Sequence, residues 1–112
     1  MESIRQQKIG SLLRKELAVL FQLKSKDWFG GRLVTVTKAR VSADLSSAKI
    51  YISFMDSKDP EADLTLVNSH QFSLRKELTS AVGKQLRKIP TLSYFIDDSL
   101  DYYDEINRLL KS

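Results

Sequence analysis

The sequence predicts a single α+β domain over residues 1–112, with helices packed on one face of a three-stranded sheet. Three observations lead there. Apolar residues recur with the 3.6-residue period of a helix in some stretches and alternate with polar residues in others. Gly and Pro fall between these stretches, where the chain must turn. The length of 112 residues and the 42% hydrophobic content suffice for one buried core and would be thin for two.

In chain order, Ile9, Leu13, Leu17 and Leu20 lie four, four and three residues apart, with Leu12 and Phe21 beside them. This predicts an amphipathic helix from Ser3 to about Leu23. Lys8 and Lys15 share one flank outside the stripe, Arg5 lies nearby, and Arg14 projects from the other side. Asp27-Trp28-Phe29-Gly30-Gly31 predicts a turn, because paired glycines accept backbone angles that other residues avoid. Leu33–Ser42 and Ser47–Phe54 predict two strands joined by a turn at Ala43-Asp44-Leu45-Ser46. In the second, Ala48, Ile50, Ile52 and Phe54 form one apolar face. The first is ambiguous: Val34 and Val36 share a parity with Lys38 and Arg40, which fits a bulge or burial on both sides at one end.

Asp59-Pro60-Glu61 predicts a helix start, with a capping carboxylate, a preset proline ring and acids at the positive end of the dipole. Leu64, Val67, Leu74, Leu78 and Ala81 carry the stripe, with His70 on its flank. A kink is expected at Ala81, Val82 and Gly83, since glycine weakens a helix interior by about 1 kcal/mol relative to alanine. A short second helix would follow, carrying Lys84, Leu86, Arg87, Lys88 and Ile89, and Pro90 would end it. Leu92–Asp97 predicts a third strand. Asp98 or Ser99 would cap a last helix through Tyr103, Ile106 and Leu110.

The chain has no cysteine, which removes disulfides and thiolate metal sites and suits a reducing cytoplasm. No apolar run approaches the roughly 18 residues of a membrane span, so a soluble, unexported protein is expected. His70 is the one histidine, and a nucleophile–base–orienter constellation has no members to draw on. Asp97 and Asp98 would point to opposite faces of an extended segment and make a poor acid/base pair. Neither a phosphate-loop nor a dinucleotide motif occurs. The expectation is a protein with no catalytic residue, cofactor or metal. The net charge of +4 is unevenly spread. Residues 1–40 hold nine bases and three acids, and residues 75–90 hold five bases and one acid; residues 41–74 and 91–112 are each acidic, with two bases and five acids. Such segregation favours a face attractive to phosphates.

The element order, with two helices meeting at a kink between the second and third strands, resembles the type II KH topology. KH domains grip single-stranded RNA with a G-x-x-G loop between those helices; here the junction is Ala81-Val82-Gly83. That A-x-G replacement resembles ribosome-binding factor A. So do Arg14-Lys15-Glu16-Leu17, the run from Val36 to Tyr51, Leu74-Arg75-Lys76-Glu77-Leu78, and Leu86-Arg87-Lys88-Ile89-Pro90-Thr91-Leu92-Ser93-Tyr94-Phe95-Ile96-Asp97-Asp98-Ser99 followed by Ile106-Asn107-Arg108-Leu109-Leu110. The chain departs from that family at Trp28-Phe29, where many members carry Pro-Arg, with Arg32 as a substitute for that arginine, and at its end, where some relatives continue in a polar tail.

The resemblance implies a cytoplasmic, monomeric ribosome biogenesis factor. It would bind the free small (30S) subunit late in assembly, near the 5′ end of the 16S rRNA, assist rRNA processing, matter most in cold adaptation, and work alongside partners such as a GTPase. RNA-phosphate contact is assigned to Arg5, Lys8, Arg14, Lys15, Lys38, Arg40, Arg75, Lys76, Lys84, Arg87 and Lys88. Tyr51, Tyr94 and Trp28 are stacking candidates, weighed against the commoner role of strand aromatics in a core. Two other readings stay open: a DNA-binding helix-turn-helix with Lys84 to Lys88 at the groove, and a protein-interaction adaptor whose basic blocks serve solubility.

Overall fold

The computed structural model describes residues 2–55 and 57–97; the last helix expected beyond Asp97 lies outside them. Helix α1 spans Ile4–Trp28. Its start is a reciprocal cap: the Gln6 N–H donates to the Ser3 hydroxyl at 3.1 Å and the Ser3 N–H donates to Gln6 Oε1 at 2.7 Å, satisfying two otherwise orphan donors. Gln6 is buried, and its Nε2 donates to the Val41 carbonyl at 2.9 Å, tying the helix start to the sheet. The helix outruns the expected end at Leu23. It stops only where the N–H groups of Phe29 and Gly31 both donate to the Ser25 carbonyl at 2.9 Å, with Gly30 and Gly31 at φ values of 61° and 83°. The glycines therefore end the helix rather than follow a separate turn.

Strand β1 (Val34–Val41) runs antiparallel to β2 (Ser47–Phe54), and β3 (Thr91–Ile96) runs parallel to β2, in the order β1-β2-β3. The parity conflict in β1 resolves as a bulge. Val36 pairs with Ile52 and Lys38 with Tyr51, leaving Thr37 as the extra residue. Val34 and Val36 are buried before it and Val41 after it, so the bulge flips the inward parity and turns Lys38 and Arg40 outward. The β1–β2 turn is held by Asp44, whose Oδ1 accepts from both Ser42 and Ser46 hydroxyls at 2.7 Å, with Leu45 in a left-handed conformation at φ 63°.

Two helices join β2 to β3: α2 (Pro60–Ser69), capped by Asp59 accepting from the Ala62 N–H at 3.1 Å, and α3 (Gln71–Val82). Their junction is His70, not Ala81-Val82-Gly83, which corrects the expected kink. His70 leaves helical geometry at φ −101°, ψ 12°, and its ring is stacked on Trp28. Ala81 is exposed, Val82 is the last buried residue of α3, and Gly83 is its cap. No helix carries Lys84 to Ile89 either. Those six residues are too few to offset helix nucleation, and the end of the segment is fastened to α3 from outside: Arg75 donates to Ile89 and Pro90 oxygens at 3.2 Å each.

The three helices among the described residues lie against one face of the sheet. Leu13, Leu17, Phe21, Leu74, Leu78 and Val82 are buried against Val36, Ala48, Ile50, Ile52, Leu92 and Tyr94. Truncating such a leucine to alanine typically costs about 2–5 kcal/mol. The opposite face carries the outward residues of the three strands.

Candidate nucleic-acid interface

Every cation assigned to phosphate contact is exposed, but the fold divides the eleven among several places. Arg5, at the start of α1, meets Arg87 and Lys88 across a cleft of about 500 Å³ that Asp44, Ser46 and Pro90 also line. The segment after Gly83 is placed there by its own apolar residues, since Ile89 and Pro90 are buried and Leu86 is half-buried. The cleft is not uniformly positive. The hydroxyls of Ser42 and Ser46, and then the Ser46 N–H, hold the Asp44 carboxyl down at about 2, so an anion entering here meets a fixed negative charge as well as three cations.

A second group sits where α1 crosses β1. Arg14 shares a groove with Lys38, Thr37 and Ala39, and a neighbouring one with Lys15 and Val34 to Val36. Gly10 makes that crossing close: a Cβ built on it would lie 2.9 Å from the Ala39 carbonyl oxygen. Lys38 and Arg40 face outward on the open side of the sheet, on an edge strand where charge also opposes strand-to-strand aggregation. Lys8 and Lys84 are exposed and line neither of these grooves.

Arg75 and Lys76 stand apart on α3, beside Phe72, which is 82% exposed. Arg75 is a structural residue, because its guanidinium is committed to the Ile89 and Pro90 carbonyls. Arg32 is likewise engaged, in an ion pair with the buried carboxylate of Asp63 that Ser57 also contacts. Half of its side chain nevertheless stays in water.

The aromatic assignments change most. Tyr94 is buried in the core, against Phe21 with ring centroids 6.4 Å apart; burial raises its phenol well above the ordinary value. Trp28 is covered by His70 at 4.6 Å and by Lys24 at 5.5 Å, and Phe29 is buried against Phe21. Trp28-Phe29 thus closes the end of α1 onto the core. Tyr51 alone of the three stacking candidates faces the open side, and it has a companion: Phe95 on β3, 40% exposed, with ring centroids 5.7 Å apart. Phe95 and Lys49 were not among the expected site residues. Their outward position follows from strand alternation, since Lys49 falls between Ala48 and Ile50, and Phe95 follows Tyr94. The helix-turn-helix reading loses its recognition helix, because Lys84 to Lys88 are not helical.

Comparison with known proteins agrees with this architecture. The family described as ribosome-binding factor A matches residues 5–110. A ribosome-binding factor A of Cytophaga hutchinsonii is 40% identical over 110 residues, covering 98% of this chain and 83% of that protein. The crystal structure of ribosome-binding factor A from Thermus thermophilus superposes with a TM-score of 0.67 at 22% identity, covering 81% of this chain and 94% of that one. The Thermus thermophilus factor as fitted into a cryo-EM map of its 30S complex gives 0.63 at 23% identity, covering 80% and 91%. These folds are KH-like, as is this one, and with the family matched over nearly its whole length the chain belongs to the ribosome-binding factor A family.

Proposed function

We propose that this chain binds the free small ribosomal subunit and assists late maturation of its 16S rRNA near the 5′ end, without a chemical step. It works in the cytoplasm as one monomeric domain, with no cofactor, and matters most at low temperature. A GTPase or another assembly factor is a partner in its cycle. The observation that carries this reading is the family match over residues 5–110 in a chain whose eleven assigned cations are all exposed. Physics supplies the mode of action. Misfolded RNA helices persist longer in the cold, and a protein that binds one rRNA arrangement more tightly shifts the population toward it. Lysine and arginine contacts to phosphate supply affinity and orientation but little sequence information.

The test is cosedimentation of the purified protein with isolated small subunits, large subunits and assembled ribosomes at moderate salt. Selective association with free small subunits supports the reading, and footprinting of the 16S rRNA then locates the contact. Absence from every ribosomal fraction overturns it.

A further inference from the structure

The outward face of the sheet carries two aromatic rings that phosphate contact alone does not explain. Tyr51 on β2 pairs in register with Phe95 on β3, and Lys38 on β1 pairs with Tyr51, so the three side chains form one row across all three strands. The Tyr51 and Phe95 rings are 5.7 Å apart and inclined by 31°. Lys38 Nζ lies 5.8 Å from the Tyr51 ring centre, and Lys49 Nζ lies 6.0 Å from that of Phe95. The next row adds Arg40 and Lys49, paired with each other. Among the described residues, the acid on this face is Asp97, at its end, accepting from the Thr37 hydroxyl.

We propose that this face is a stacking platform for unpaired nucleobases of single-stranded RNA, with Tyr51 and Phe95 each taking a base and Lys38, Arg40 and Lys49 holding the flanking phosphates. The inference rests on the RNA-binding reading above and names its mode. A large aromatic ring left exposed on a strand has its hydrophobic area in water, and a cross-strand pair recovers part of that. The cations distinguish this pair from a purely structural one: three exposed bases around two rings match a ligand that is flat and apolar at its bases and anionic at its backbone. Aromatics on adjacent strands of an open sheet stack successive bases in other RNA-reading sheets, and such stacking tolerates any base because every base has a π-face. Duplex RNA presents no free base face, so it meets only the cations.

The experiment measures fluorescence anisotropy of labelled decauridylate, and of a short RNA duplex, with the full chain and its Tyr51→Leu, Phe95→Leu and double variants. Leucine keeps apolar bulk in the strands, and circular dichroism melting checks that each variant folds. The double variant is expected to lose about 30-fold or more in affinity for the single strand. Its duplex affinity and the slope of log K against log salt should stay as they were, because no charge is removed. Tyr51→Phe, which keeps the ring, should bind like the unaltered chain. Undiminished single-strand binding, or an equal loss on duplex, overturns the platform. A gain in affinity also overturns it, since the rings would then hinder single-strand binding. If the variants bind decauridylate and small subunits like the unaltered chain, the platform fails and the ribosomal reading stands; if the unaltered chain binds neither RNA nor small subunits, both fail.

Discussion

Trp28 and His70 stack face to face, their ring centroids 4.6 Å apart and their planes 8° from parallel. The contact joins the last residue of α1 to the residue that separates α2 from α3. It also places Trp28 edge-on to Phe29, 6.3 Å away, so the end of the first helix, the core and the helix junction meet at one point. His70→Ala should therefore lower stability by about 1 kcal/mol beyond the loss of buried area. His70→Phe, which keeps a flat ring, should restore most of it. Urea denaturation of the two variants checks this.

Gly10→Ala should destabilise the protein. In an ordinary helix interior this substitution gains about 1 kcal/mol, but here the new methyl would sit 2.9 Å from the Ala39 carbonyl oxygen, a backbone atom of β1. The helix must then move off the strand, loosening the bond from Gln6 to Val41. A rise in melting temperature would show that the crossing is wider than this.

Arg32→Ala should cost about 1–3 kcal/mol. Removing one partner of a fully buried ion pair costs more, about 3–5 kcal/mol, but half of the Arg32 side chain is in water, which screens the pair. What remains is a buried Asp63 carboxylate with Ser57 as its side-chain partner. Chemical denaturation reads the loss, and Arg32→Lys should recover only part of it because a single ammonium cannot reproduce the guanidinium fork.

Lys84→Glu, Arg87→Glu and Lys88→Glu combined should abolish cosedimentation with small subunits while leaving the melting temperature nearly unchanged. The segment is held by Leu86, Ile89 and Pro90 and by the Arg75 bonds, none of which the reversal removes. Single neutralisations should flatten the log–log salt dependence by about 0.7 to 0.9 for each phosphate no longer neutralised. Undiminished binding by the triple variant would remove this segment from the site.

Acid should weaken the β1–β2 turn through Asp44. Its carboxyl is held at about 2, below the ordinary 3.8, by bonds that only the ionised form accepts well. A group with a depressed folded value contributes stability that is present above pH 3.8 and is lost as pH falls toward 2. Asp44→Asn removes that dependence. The difference in stability between the two proteins should therefore shrink across this window, as acid titration of the unfolding transition would reveal.

Much of the fold was legible in the sequence because it depends on local periodicity. The apolar stripe through Leu13 and Leu17, the alternation from Ala48 to Phe54 and the Asp59-Pro60 start each state a secondary structure and an inward face, and the folded protein keeps all three. The eleven cations assigned to phosphate contact are all exposed, since an unpaired charge cannot be buried cheaply. Tertiary contacts alone decided the rest. The bulge at Thr37 makes sense of the β1 parity only once β2 is paired beside it. The junction between the two helices falls at His70, whose ring stacks on Trp28, far away in sequence, while Gly83 ends the second of them. Lys84 to Ile89 stay irregular because so short a run cannot offset helix nucleation, and the Arg75 bonds to the Ile89 and Pro90 carbonyls fasten its end to α3. The pairing of Tyr51 with Phe95 depends on the parallel register of β2 and β3, which long-range strand pairing sets and no local pattern encodes.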